Sequence, residues 1–294
     1  MRIIILAARS GWHTDELLRA FGERGHTVAL ARYEDLVATV GDTTALRSGV
    51  AALEAADLVL ARIIPNGSLE QIVFRVDALH TLEERGVRVV NPARVIERTV
   101  DKLWTSATLA GAGLPTPATV VCESMDEAHA GWEQLGGDVI LKPLFGSMGL
   151  GMVRVSDEET AFRVFRAIET IRGVFYLQRA IEHDGRDLRA FVLGGRVLGA
   201  IERRAAGWRT NIARGGRAEA IALPPEWAEL AVRAAAAVGA VYAGVDLLPA
   251  HDGAIYVLEV NGIPGWQGLQ EATGIDVAGA LAAHLAREPA ETLV

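Results

Sequence analysis

Two apolar segments near the C-terminus carry oxygen ligands at strand spacing, and this limits what the chain can fold into more than any other feature. In Tyr256-Val257-Leu258-Glu259-Val260-Asn261-Gly262-Ile263-Pro264-Gly265, Glu259 and Asn261 stand two apart, so on a strand they share one face. Asp246 lies in Gly244-Val245-Asp246-Leu247-Leu248, a second apolar segment able to pair with the first. Pairing gathers two carboxylates and one amide oxygen, with no His or Cys nearby. Hard oxygen sets of this kind suit Mg²⁺, which keeps waters and takes its remaining ligands from nucleotide phosphates. Solvated strand-end acids are the plainer explanation for Asp246 and Glu259 taken alone, so the rest of the chain has to decide.

With 294 residues, 50% hydrophobic and 22% charged, the chain has material for about two domains with buried cores. A net charge of -8 argues against a general nucleic-acid or anionic-membrane surface, which needs a basic stripe. The single cysteine, Cys122, excludes an internal disulfide and any paired-cysteine zinc or redox site, and its apolar setting points to a structural thiol. Ile3 to Ala8 is too short for a signal-peptide core and is closed by Arg9, and no run approaches the roughly 18 apolar residues of a membrane span. A cytoplasmic protein is expected.

Residues 2–8 read as a buried strand, followed by a helix over Thr14 to Gly25, strands at Val28 to Leu30 and Asp57 to Ala61, a helix from Ser68 to Arg85 and a strand at Val87 to Val90. This alternation predicts a small parallel sheet. The first turn, Ala7-Ala8-Arg9-Ser10-Gly11, lacks the glycine spacing of a dinucleotide site. Ala93 to Ala112 reads as one helix, and Gly113-Leu114-Pro115-Thr116-Pro117 breaks the pattern. Next come strands at 118–122, 138–142, 151–155 and 174–178 with helices over 126–135 and 157–171. Strands at 188–192, 196–202, 220–223, 241–248 and 255–260 follow, predicting a mostly antiparallel sheet with helices over 226–239 and 277–287. The apolar helix face from Leu230 to Val238 suits either a core or a dimer contact.

Gly146-Ser147-Met148-Gly149-Leu150-Gly151 joins two predicted strands, whereas a P-loop or a dinucleotide turn must run into a helix. A glycine-rich hairpin can instead cover phosphates with backbone N–H groups, or simply be a flexible turn. Lys142 ends the strand that feeds it, where its charge could meet an α- or β-phosphate, and Lys102 is a second candidate for that task. Glu202-Arg203-Arg204, Trp208-Arg209-Thr210-Asn211 and Arg214-Gly215-Gly216 concentrate guanidiniums in an acidic protein, which suits carboxylate or phosphate recognition. A solvated basic loop is the alternative.

Taken in order, Lys142-Pro143 with the glycine flap, Gln178-Arg179-Ala180-Ile181, Asp187-Leu188-Arg189, Arg209-Thr210-Asn211, Gly244-Val245-Asp246 and Glu259-Val260-Asn261 resemble the ATP-grasp ligases, and among them the RimK group of α-L-glutamate ligases. The resemblance covers essentially the whole chain. Gly67-Ser68-Leu69-Glu70-Gln71-Ile72-Val73-Phe74-Arg75-Val76-Asp77, Lys142 to Ser147 and Pro264-Gly265-Trp266 are similar to the tetrahydromethanopterin:α-L-glutamate ligase branch. The resemblance implies an α/β ATP-grasp fold in three parts: an N-terminal α/β domain over 1–98, a central lid over 99–180, and a C-terminal, mostly antiparallel domain over 181–294 that carries the metal site. It further implies ATP between the last two parts, Lys102 and Lys142 on its phosphates with the Gly146, Ser147 and Gly149 flap above. Adenine would lie against backbone at Gln178, Arg179, Ala180 and Ile181, the ribose near Asp187, and the nucleotide near Arg209 and Asn211. Asp246, Glu259 and Asn261 would hold two Mg²⁺, with Mn²⁺ as an alternative. Arg179-Ala180 departs from the acidic-then-aromatic pair common in the family, which puts the adenine contacts in doubt.

The implied reaction is ATP-dependent amide formation through an acyl phosphate, with L-glutamate as the amine and a small-molecule carboxylate, a tetrahydromethanopterin-like cofactor, as the acceptor. Arg203 is the candidate for stabilising the acyl phosphate and the oxyanion; Arg204 is the alternative, because neighbours on a strand face opposite ways. Arg62, Arg75, His80 and Trp266 are candidates for holding the acceptor, against surface charge or core packing. Two other functions remain open at this stage: glutamylation of a protein C-terminus or another small acid, and a non-catalytic ATP-binding regulatory module. The oligomeric state is also open.

Overall fold

The structure, a computed structural model, describes residues 1–42, 44–146, 149–205 and 217–287. Strands β1 (Arg2–Ala7), β2 (Thr27–Arg32), β6 (Leu58–Ala61) and β7 (Arg88–Val90) form a parallel sheet in the order β2-β1-β6-β7. Covered on both faces, β1 can be apolar at nearly every position. Its Ile3 and Ile5 pack with Leu17 and Phe21 of α1 (Trp12–Gly22), while Ile4 and Leu6 share a cluster with Leu79 and Leu82 of α2 (Leu69–Glu84). The interval from 31 to 56, where the sequence shows no clear element, holds a small antiparallel sheet of β3 (Leu36–Thr39), β4 (Ala45–Ser48) and β5 (Ala51–Ala52). Two to four residues are too few to establish a period-2 pattern, so these strands leave no sequence signal.

The expected single helix over Ala93 to Ala112 is two helices, α3 (Ala93–Val100) and α4 (Lys102–Gly111). Asp101 separates them with φ -85° and ψ 110°, and its carboxylate accepts from the Trp104 N–H at 3.0 Å. An Asp in this position offers the next helix a cap for its unpaired N–H groups, which a reading of apolar periodicity alone passes over. The break puts Lys102 in the first turn of α4.

Strands β8 (Thr119–Cys122), β9 (Val139–Lys142), β10 (Val153–Val155) and β11 (Phe175–Arg179) form an antiparallel sheet in the order β10-β9-β11-β8. Val139, Leu141, Phe175 and Leu177 pack against Ala128 of α5 (Met125–Gln134) and Ala161 and Phe165 of α6 (Glu158–Thr170). Strand alternation then sends Lys142, Tyr176 and Gln178 to the opposite face, where Tyr176 and Gln178 are buried and Ser106 of α4 meets the Tyr176 hydroxyl. Cys122 is half-buried, and burial pushes its thiol pKa up, in keeping with a structural role.

The C-terminal sheet runs β14-β13-β12-β15-β16, wholly antiparallel, from β12 (Arg186–Leu193), β13 (Arg196–Arg204), β14 (Arg217–Ala220), β15 (Tyr242–Pro249) and β16 (Ile255–Asn261). One face buries Leu188, Ala190, Val245, Leu247 and Val260 against Leu230, Ala234 and Val238 of α7 (Pro225–Val238) and Leu109 of α4. The apolar stripe of α7 is thus core. The other face is divided. Phe191, Leu193, Ile201 and Tyr242 join the cluster of β1 and α1, together with α9 (Val277–Leu285). The rest of that face is charged. A short helix, α8 (Gln267–Thr273), follows β16 where none was expected. Asn91, fully buried, ties the two sheets together: its Nδ2 donates to the Tyr242 and Gly262 carbonyls at 2.8 and 2.6 Å, and its Oδ1 accepts from Val241 N–H at 2.8 Å.

Candidate active site

Cross-strand register assembles the site. Asp187 pairs with Arg203, Arg189 with Asp246, and Asp246 with Glu259, so six polar side chains, Asn261 included, lie on one sheet face. Arg203 grips Asp187 with two bonds, Nε to Oδ1 at 2.6 Å and Nη2 to Oδ2 at 2.7 Å, and reaches Asp246 at 3.0 Å. Arg189 grips Asp246 in the same way at 2.7 and 2.8 Å. Burial alone would push the Asp246 carboxyl up, but Arg189 and Arg203 outweigh it and hold the group ionised, below the usual carboxylate range. Arg204 turns to the opposite face, half-exposed and bonded to Glu202. The register the sequence left open is therefore settled: Arg203 shares the face with Asp187 and Asp246.

Above this face, Lys142 and Lys102 line a narrow cleft with Thr105, Ser106, Tyr176 and Glu259. Lys142 is enclosed, and burial lowers its pKa to about 8 despite the nearby Glu259. Its Nζ donates to Gln178 Oε1 at 2.6 Å. Gln178 in turn faces Tyr176, whose hydroxyl meets Ser106 Oγ at 2.7 Å. Burial lowers the Lys102 pKa too, and its Nζ donates to the carbonyls of Leu144 and Gly146 at 3.3 and 3.0 Å. Lys102 thereby anchors the base of the glycine turn. Gly146, Gly149 and Gly151 all have positive φ, and a Cβ on Gly151 would stand 2.8 Å from Pro143, so the turn between β9 and β10 requires glycine there.

At the crossover, Gln178 directs its side chain to Lys142, and Arg179 is exposed with Nη2 3.5 Å from the Tyr256 hydroxyl. The N–H groups of Arg179 and Ala180 donate to the Ala118 and Asp138 carbonyls at 2.8 and 3.0 Å. Ser147, Arg209 and Asn211 lie outside the described residues.

Among the expected acceptor residues, the structure joins Arg62 and Trp266. The buried Arg62 guanidinium lies 4.7 Å over the Trp266 ring and bonds the Tyr242 hydroxyl and the Pro264 carbonyl. Arg75 is buried as well and donates to the Pro65 carbonyl at 2.7 Å, holding the loop after β6. His80 is paired with Glu97 at 2.8 Å. His13, against Trp266, accepts from its backbone N–H at 3.0 Å; burial and then Arg62 lower its pKa to about 4. His13 carries no local sequence signal for this place. Tyr176 could have been found from Gln178, two residues on along one strand face.

Among the described residues no three His, Cys, Asp or Glu side chains cluster as a metal site. The set present is two carboxylates and an amide, all oxygen, and Asn261 Oδ1 has one lone pair engaged by Ile263 N–H at 2.9 Å and a second to offer. That donor chemistry fits a hard cation.

The RimK-like ATP-grasp domain model matches residues 99–285. This chain belongs to that family. ATP-grasp relatives include the tetrahydromethanopterin:α-L-glutamate ligase of Methanosarcina acetivorans, 34% identical over 91% of this chain and 93% of that one. Another is the probable α-L-glutamate ligase of Trichodesmium erythraeum, 33% identical over 95% and 94%. The ATP-grasp fold itself is shared with the RimK domain protein of Sphaerobacter thermophilus, at TM-score 0.78 and 24% identity, covering 97% of this chain and 99% of that one. The ATP-grasp ligase PsnB, solved with a minimal precursor, Mg and ADP, matches at TM-score 0.75 and 20% identity over 96% of both chains. The chain is an ATP-dependent ligase of the glutamate ligase family. No helix among the described residues is long and apolar enough to cross a membrane.

Proposed function

We propose that this ligase joins the amine of L-glutamate to a carboxylate of a tetrahydromethanopterin-like cofactor. The observation that carries the reading is the lysine pair, Lys102 and Lys142, set with Glu259 in one cleft beside the Asp187, Arg203 and Asp246 cluster. Relatives named for tetrahydromethanopterin, 32 to 37% identical, supply the acceptor class. The three-part division at residues 98 and 180 belongs to the same reading, as does the placement of ATP between lid and C-terminal sheet.

In this mechanism an acceptor carboxylate oxygen bonds the γ-phosphorus and ADP leaves. The glutamate nitrogen then attacks the acyl carbon, phosphate leaves, and the nitrogen gives up its proton to solvent. Lys142 and Lys102 neutralise the α- and β-phosphates. Arg203, fixed by Asp187, presents its guanidinium where charge develops on the acyl group without reorganising. Asp246, Glu259 and Asn261 would hold two Mg²⁺, or Mn²⁺, which supply charge neutralisation between the phosphates.

The test is ADP release from Mg-ATP with L-glutamate and a panel of tetrahydromethanopterin, small acids and peptides, with product masses read in the same tubes. A glutamyl increment on tetrahydromethanopterin is expected. Glu259→Ala should cut turnover by more than roughly 100-fold, above the range for groups that only support a metal ligand. An increment on another acid or a peptide alone would replace the acceptor assignment.

A further inference from the structure

Asp246 is the carboxylate assigned above to a divalent cation, yet two guanidiniums already engage it. A carboxylate has about four lone-pair sites. Arg189 takes two and Arg203 one. One site is left, so a cation that binds Asp246 through more than a single lone pair has to displace an N–H group. The two arginines differ in what else holds them. Arg203 is 3% exposed and keeps both bonds to Asp187 whatever happens at Asp246. Among the described residues Asp246 is the sole acidic partner of Arg189, whose side chain is 24% exposed and open to water. Arg189 is the one able to leave.

We propose that Arg189 and the divalent cation are alternative occupants of Asp246, and that the Arg189 guanidinium, once released, binds the carboxylate of a substrate on the same sheet face. The inference rests on the metal role proposed for Asp246. A carboxylate gripped by a planar two-pronged donor is what a carboxylic substrate would offer Arg189, so Asp246 stands in for that substrate in the resting molecule. Gly244, on the neighbouring strand, lies beside the arginine shaft. A Cβ there would crowd Pro264 at 3.0 Å while meeting Arg189 Cδ and Nε only in ordinary contact at 3.8 Å. An order of binding follows: nucleotide with its cation first, then the carboxylate.

Mn²⁺ binding in saturating ADP, read from the loss of the free-ion EPR signal, tests the first half. Arg189→Lys keeps the charge but cannot grip with two prongs, and both it and Arg189→Ala should bind Mn²⁺ about tenfold tighter than the natural protein. Wild-type affinity in Arg189→Lys would overturn the proposal, since charge alone would then account for any change in Arg189→Ala. Calorimetry with L-glutamate and with tetrahydromethanopterin tests the second half. At least one should bind the natural protein only when Mg²⁺ and a non-hydrolysable ATP analogue are present, and Arg189→Lys should lose that binding. Equal binding with and without the metal nucleotide, or no binding of either probe, would overturn it. Turnover on the acceptor panel tests the proposed function separately, and the Mn²⁺ experiment needs no acceptor.

Discussion

Lys142 shows how much one residue depends on its setting. It ends an apolar strand, and a strand-end lysine is ordinarily solvated; here burial lowers its pKa to about 8 while Gln178 fixes its ammonium. Its charge is therefore lost as pH rises through about 8. If it serves the phosphates, affinity for Mg-ADP should fall above that pH by at most about tenfold per unit, since one proton is linked to binding. Lys142→Arg stays charged and should flatten the profile, measured by equilibrium titration between neutral and alkaline pH. A wild-type profile already flat across that range would remove Lys142 from the phosphate site. The sequence pointed to Lys142 through the glycine turn beside it. It named Arg189 only within Asp187-Leu188-Arg189 and gave it no role, because its partner lies on another strand in register, far along the chain.

At the scale of elements, strands and helices with enough length announced themselves. The elements from β8 to β11 fall close to their expected places because their apolar faces repeat cleanly, as in Phe175 and Leu177 against α6. The small β3, β4 and β5 sheet is too short to do so. The break at Asp101 was legible in chemistry but not in periodicity, since the apolar pattern runs on from α3 into α4. Asp101→Ala should cost about 1 kcal/mol through the lost cap. Chemical denaturation would show it as a lower midpoint at unchanged slope; an unshifted midpoint would mean that tertiary packing, not the cap, holds the first turn of α4 and with it Lys102.

For the whole molecule, the junction of the first and last sheets is set by Asn91 and by the shared cluster of Phe191, Tyr242 and Trp266 with β1, α1 and α9. Asn91→Ala leaves two buried carbonyls and an N–H without partners. At about 1 kcal/mol or more for each, the loss should be on the order of 3 kcal/mol in unfolding free energy. A loss below about 1 kcal/mol would mean that water replaces the amide. The same junction buries Arg62 against Trp266, two residues that the sequence singled out 204 positions apart without any reason to join them.

By itself the sequence determined the polar residue types and their spacing: Glu259 and Asn261 on one strand face, Asp246 on a partner strand, Lys142 before a glycine turn, in an order that marks an ATP-grasp ligase. These are local or ordered features, written in residue type and periodicity. Only the tertiary structure decided which arginine faces them, that Arg189 occupies Asp246, that Gln178 turns toward Lys142, and that Arg62 lies on Trp266. Those depend on strand register and on packing between sheets, where a shift of one residue reverses every side chain, and no local pattern of amino acids encodes that choice.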